Sequence, residues 1–120
     1  MYVAVLSSDK LRAKRLGDKI LDTCLSNGCY STFIHFTADK SFLEELEKLD
    51  VGTVVLTADS HEELKLAKTI TELKPKVKLI LLGSDSVAVE GYSLSAHYCA
   101  AAEPQQEDLK RIADVIFPVA

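Results

Sequence analysis

Short apolar runs alternate along the chain with stretches in which apolar residues recur every three or four positions. Tyr2 to Leu6 (YVAVL) is the first run. It breaks into Ser7-Ser8-Asp9, a turn or helix-cap cluster. From Lys10 to Ser26 the apolar positions are Leu11, Ala13, Leu16, Ile20, Leu21, Cys24 and Leu25, the spacing of one helix face. Asn27-Gly28 ends that helix, because both residues accept the left-handed cap conformation. Tyr30 to Phe36 reads as a second strand. Ser41 to Glu44 has capping-box spacing and opens a short helix to Leu49. Thr53 to Thr57 predicts a third strand. Ser60 to Glu63 repeats the capping-box pattern and opens a helix through Leu64, Ala67, Ile70 and Leu73 that must stop near Pro75. Val77 to Leu82 is a fourth strand, closed by Gly83-Ser84-Asp85. Ser86 to Tyr92 has room for one or two helical turns. Ser95 to Ala101 predicts a fifth strand. Glu103-Pro104 then opens a last helix with proline at its first position and Leu109, Ile112, Ala113, Ile116 and Phe117 on its inner face.

The order is strand then helix, five times over. The first, third and fourth strands are continuous apolar runs, the mark of strands covered on both faces. Right-handed crossovers then give an α/β fold: a doubly wound, five-stranded parallel sheet between two helix layers, (βα)5 in order. Residues 1–120 contain no internal repeat, linker or low-complexity stretch, so one domain is expected. Sites in such folds form beyond the carboxyl ends of the strands. Here those ends are Ser7-Ser8-Asp9, Thr57-Ala58-Asp59, Gly83-Ser84-Asp85 and Ala100-Ala101-Ala102.

Charge and cysteine content narrow the function classes. A net charge of −4 argues against non-specific nucleic-acid binding, which needs a basic face. No apolar run is long enough to span a membrane, and the N-terminus lacks the basic region of a signal peptide, so a cytoplasmic protein is expected. Cys24, Cys29 and Cys99 are an odd set with no disulfide framework, and their spacing with His35 does not suit a metal. Cys29, beside Gly28 in a loop, is the thiol expected to be most reactive. The histidines His35, His61 and His97 are scattered over separate elements. Ser7, Ser8 and Ser84 have no nucleophile-elbow context, and the first loop has no glycines to cradle a phosphate or dinucleotide.

With size, element order and loop positions in hand, the chain resembles the receiver domain of bacterial two-component response regulators. The resemblance covers essentially its whole length. It implies a phosphoryl-accepting Asp at the end of the third strand. It also implies an acidic pair for Mg²⁺ after the first, a Thr or Ser after the fourth and a Lys after the fifth. Carried over residue by residue, the acidic pair falls on Ser7 and Ser8 and the acceptor on Thr57. The Thr or Ser position falls on Gly83, with Ser84 next to it, and the Lys position on Ala101. Tyr98 matches the aromatic residue that many receivers turn inward on activation. Mg²⁺ wants carboxylate ligands, and transferred phosphate wants a cation. The acidic pair, the acceptor and the lysine are missing together. A divergent, or pseudo-, receiver is therefore expected, with no catalytic residues, no metal and no cofactor.

Several residues stay open beside that reading. Asp9, Asp59 and Asp85 form either a residual acidic rim or a set of helix caps, and capping is the favoured role. Lys10, Arg12, Lys14, Arg15 and Lys19 line the first helix as either a DNA-binding patch or a solvated polar face, and the acidity of the chain favours the solvated face. Val87, Val89, Tyr92 and Leu94, with Tyr98, either close the core or form an interaction face. The expected partner is a protein, either another copy of the chain or a signalling partner. The alternative is a flavodoxin-like domain that holds a flavin, nucleotide or quinone at the carboxyl edge of the sheet.

Overall fold

The computed structural model describes residues 2–58, 61–84, 96–101 and 103–117, with only the backbone of His61. The strands are β1 (Tyr2–Ser7), β2 (Thr32–Thr37), β3 (Val51–Thr57), β4 (Lys78–Leu82) and β5 (Tyr98–Ala100). Four helices lie among the described residues: α1 (Lys10–Ser26), α2 (Ser41–Lys48), α3 (His61–Leu73) and α4 (Gln106–Ile116). The five strands form one sheet in the order β2-β1-β3-β4-β5, and every pair is parallel.

The apolar runs become central strands because each feeds two cores. Val3 and Val5 of β1, Val55 of β3 and Ile80 and Leu82 of β4 pack under Leu16, Ile20 and Cys24 of α1 and Leu109 and Ile112 of α4. The alternate residues Ala4, Leu6, Val54, Leu56, Leu79 and Leu81 face Phe42 and Leu46 of α2 and Leu64, Ala67 and Ile70 of α3. Each fully buried Leu, Ile or Phe contributes about 1.5–3 kcal/mol by leaving water. Two faces of such residues on one strand hold β1, β3 and β4 between the helix layers.

Local chemistry sets the element ends. Asp9 caps α1, its Oδ1 accepting from the Leu11 N–H at 2.9 Å. Gly28 follows the helix at φ 75°, a conformation that a side chain would oppose. Ser41 does not cap α2. Asp39, two residues earlier, accepts from both the N–H and the hydroxyl of Ser41. Pro104 is not the first residue of the last helix either. Gln105 is the N-cap of α4 and forms a reciprocal capping box with Asp108. The apolar stripe of α1 is also narrower than its sequence implies, since Leu11 and Leu25 are exposed. The strand β5 is three residues long because it lies at the sheet edge and pairs with β4 alone. The expected cap at Ser60 and the helical turns between residues 86 and 92 lie outside the described residues.

Candidate functional site

Strand order reverses between β1 and β3, which opens a crevice at their carboxyl ends. The register pairs Leu6 with Leu56, which brings Ser7 and Thr57 side by side at that point. Thr57 pairs with Leu82, and Leu82 with Ala100, so Gly83 and Ala101 follow at the same edge. Among the described residues, backbone hydrogen bonds continue the pairing past the strand ends. The Ala38 N–H donates to Ser7 O at 2.7 Å, Ala58 N–H to Leu82 O at 2.8 Å and Gly83 N–H to Ala100 O at 2.9 Å.

The side chains there are mostly engaged or short. Ser7 is fully buried, and its hydroxyl accepts a long bond from the Asp9 N–H at 3.5 Å. Ser8, Ser84 and Ala101 are exposed and Gly83 is half-buried. The Asp9 carboxylate is turned onto the first turn of α1 as its cap. Thr57 differs. It is 1% exposed, and its Oγ1 is buried with no hydrogen-bond partner among the described residues. Asp59 and Asp85 lie outside the described residues, as do Ala102 and Val87, Val89, Tyr92 and Leu94. Among the described residues, no three His, Cys, Asp or Glu side chains group as metal ligands.

Two clefts flank the reversal point. One, of 340 Å³, opens between α1 and the loop leading into α4. Buried Thr57 is among its lining residues, Leu16 and Pro104 supply apolar wall, and Arg12, Arg15 and Lys19 line it from α1. Asp9 and Glu103 also border it, so it holds one more cation than anion in a chain of net charge −4. The other cleft, of 620 Å³, lies between α2 and α3 and has the opposite balance. Asp39, Glu62 and Glu63 outnumber Lys40 and Lys65 there. Arg15 and Lys19 are exposed, in keeping with the solvated face expected of them, and the structure adds that they border a cleft with Arg12. Their i, i+3, i+7 spacing, starting two residues into a helix that follows a strand tip, was the available signal.

Tyr98 is half-buried on the α1–α4 side of the sheet. Its hydroxyl donates to Asp108 Oδ1 at 2.8 Å, and Asp108 Oδ2 accepts from the Gln105 N–H at 3.0 Å. These two bonds hold the Asp108 carboxyl below its usual range, the backbone bond contributing most. One carboxylate thus ties the sheet edge to the start of α4.

The other singled-out residues lie away from the edge. His35, on β2, faces α1 close to Gly17, and a Cβ at Gly17 would come within 2.6 Å of its Nε2. Burial pushes the His35 imidazole below its ordinary value, opposed by Asp18 and assisted by Lys14 and Lys10. That Nε2 is buried without a partner among the described residues. The three cysteines are free. Burial raises the Cys24 and Cys99 thiols, with Cys29 adding to the effect at Cys24. Such thiols behave as small hydrophobes. Cys29 is half-buried at the end of the α1–β2 turn.

No family model matches the sequence, and no curated protein matches it. Solved structures do. The beryllofluoride-activated receiver domain of DrrB, a response regulator of Thermotoga maritima, superposes with a TM-score of 0.65 at 21% identity over 96% of each chain. A putative pilus assembly-related protein from Burkholderia pseudomallei gives 0.73 at 15% identity, over 96% of this chain and 90% of that one. The beryllofluoride-activated NtrC4 receiver domain dimer gives 0.67 at 13%, over 96% and 93%. Five parallel strands in 2-1-3-4-5 order, two helix layers and these neighbours together make the fold of this chain that of a receiver domain.

Proposed function

We propose that this chain is a cytoplasmic, receiver-like signalling module that works without phosphotransfer and transmits through protein contacts. It would be a single domain over residues 1–120, associating with itself, a partner or an attached output domain. One observation carries the reading. The strand ends where a receiver keeps carboxylates and a lysine hold Ser7, Ser8, Thr57 and Ala101, and the nearby Asp9 is engaged as a helix cap. A hard divalent cation has too few oxygens of the right charge in that set, and a hydroxyl cannot form the acyl phosphate that a carboxylate forms. Association as the output is supported by the description of the NtrC4 neighbour as a dimer and of the Burkholderia neighbour as related to pilus assembly. The degenerate positions, and the interaction face at Val87, Val89, Tyr92, Leu94 and Tyr98, belong to this proposal.

A flavin or quinone at the same edge has less support. The cleft beside Thr57 offers Leu16 and Pro104 as its apolar wall and no aromatic ring among the described residues, whereas flat cofactors want extended apolar surface. The test is a pair of measurements on the protein. Amide spectra with and without Mg²⁺ and beryllofluoride should coincide, and light scattering over a concentration series should report association that is unchanged by either. A shift of the resonances at the strand ends that requires Mg²⁺ together with beryllofluoride would sink the proposal.

A further inference from the structure

We infer that the cleft between α1 and the loop leading into α4 is a metal-independent site for a small phosphate-bearing anion, with Arg15, Lys19 and the Thr57 hydroxyl as its donors. The inference goes beyond the signalling reading and does not need it. Two independent observations meet in this cleft.

The first is charge. Arg12, Arg15 and Lys19 come from successive turns of one helix and line the same 340 Å³ space. Among the described residues neither Arg15 nor Lys19 has an ion-pair partner, whereas Lys14 on the same helix pairs with Asp18. One of the two bordering carboxylates, Asp9, is already turned onto the helix end. A site with three cations and little free carboxylate repels a metal and attracts an anion. The planar fork of arginine matches two oxygens of a phosphate at once.

The second is the Thr57 hydroxyl. A buried hydroxyl is nearly always paired, because leaving it unpaired is costly. This one has no partner among the described residues, and Thr57 is one of the residues lining the cleft. A phosphate oxygen arriving there gives it a partner while Arg15 and Lys19 take the charge from the outer side. The cleft is larger than a bare phosphate ion needs, and Leu16 and Pro104 offer apolar wall to the rest of a small phosphomonoester. Its two sides are α1 and the segment just before Gln105, so an occupant bridges the first helix to the cap of the last.

The test is titration calorimetry in EDTA at constant ionic strength, with inorganic phosphate and glycerol 2-phosphate as probes and chloride as the reference. Both probes should bind to the full chain, the ester more tightly; equal binding still supports the site and names free phosphate as its ligand. Thr57→Val should weaken binding about tenfold and Arg15→Gln by at least as much, while Lys68→Gln, the same charge change on α3, should leave it alone. Binding absent in EDTA, or lost equally in Lys68→Gln, overturns the inference. Failure here with no response to beryllofluoride leaves the signalling proposal standing. A beryllofluoride response alongside metal-free phosphate binding does the reverse.

Discussion

Replacing Thr57 with valine should make the protein more stable, an unusual direction for a change at a buried position. Thr57 is 1% exposed at the end of β3, with its Oγ1 out of contact with water and unpaired among the described residues. An unsatisfied buried hydroxyl costs about 1–3 kcal/mol of desolvation. Valine has the same branched shape, suits a strand equally well and adds a methyl group where the hydroxyl stood. The net gain works out at about 1–2 kcal/mol, or a rise of about 4–8 °C in Tm for a domain of this size. Urea denaturation followed by circular dichroism measures it as a higher midpoint at unchanged slope. Thr57→Asp supplies the contrast, since it buries an unpaired carboxylate at the same point and should cost about 3 kcal/mol or more. If Thr57→Val is neutral or destabilising by more than about 0.5 kcal/mol, the hydroxyl has a partner and its description as an orphan is wrong. A stabilised variant that has also lost phosphate binding would show a residue kept for its chemistry at the expense of stability.

Three further outcomes follow from the packing and the caps. Stability should fall on acidification below about pH 6.5, where an unfolded histidine takes up a proton that folded His35 resists. The unfolded state binds more protons in that window, so stability rises with pH there, and His35→Leu should flatten the slope in urea midpoints taken at pH 7.5 and 5. Asp108 contributes in the same sense in a lower window: its folded value is depressed, so its stabilisation is present above the ordinary carboxylate range and lost as pH falls through the lowered value. Asp108→Asn should cost about 1 kcal/mol at neutral pH by weakening the cap of α4, and should release Tyr98, visible as a change in tyrosine fluorescence. Ile112→Ala, at a fully buried position of α4, should cost about 2–5 kcal/mol in the same denaturation assay.

The architecture was legible because burial on two faces leaves a plain mark. The runs at Tyr2 to Leu6, Thr53 to Thr57 and Val77 to Leu82 are apolar over most of their length on both faces, and they became the three central strands. The helix α1 matched its expected limits because a cap aspartate and an Asn-Gly stop both act locally. Edges and caps were harder. Ser95 to Ala101 has strand character over seven residues, yet among the described residues the strand is Tyr98–Ala100, with His97 joined to Leu79 of β4 by its backbone N–H just before it. Ser41 and Pro104 had the right residue types for helix starts, but Asp39 and Gln105 were the ones the backbone used. The cleft was illegible for a different reason. Arg15 and Lys19 are close in sequence to each other but far from Thr57 and Pro104, and only the crossover topology brings them together.

Intact-mass spectrometry after incubation with acetyl phosphate and Mg²⁺ bears most directly on the claim that this receiver fold has no phosphoryl chemistry at its carboxyl edge. An unchanged mass is expected, with an active receiver domain labelled in parallel. A covalent phosphoryl group on Asp9 or Asp59 would contradict it.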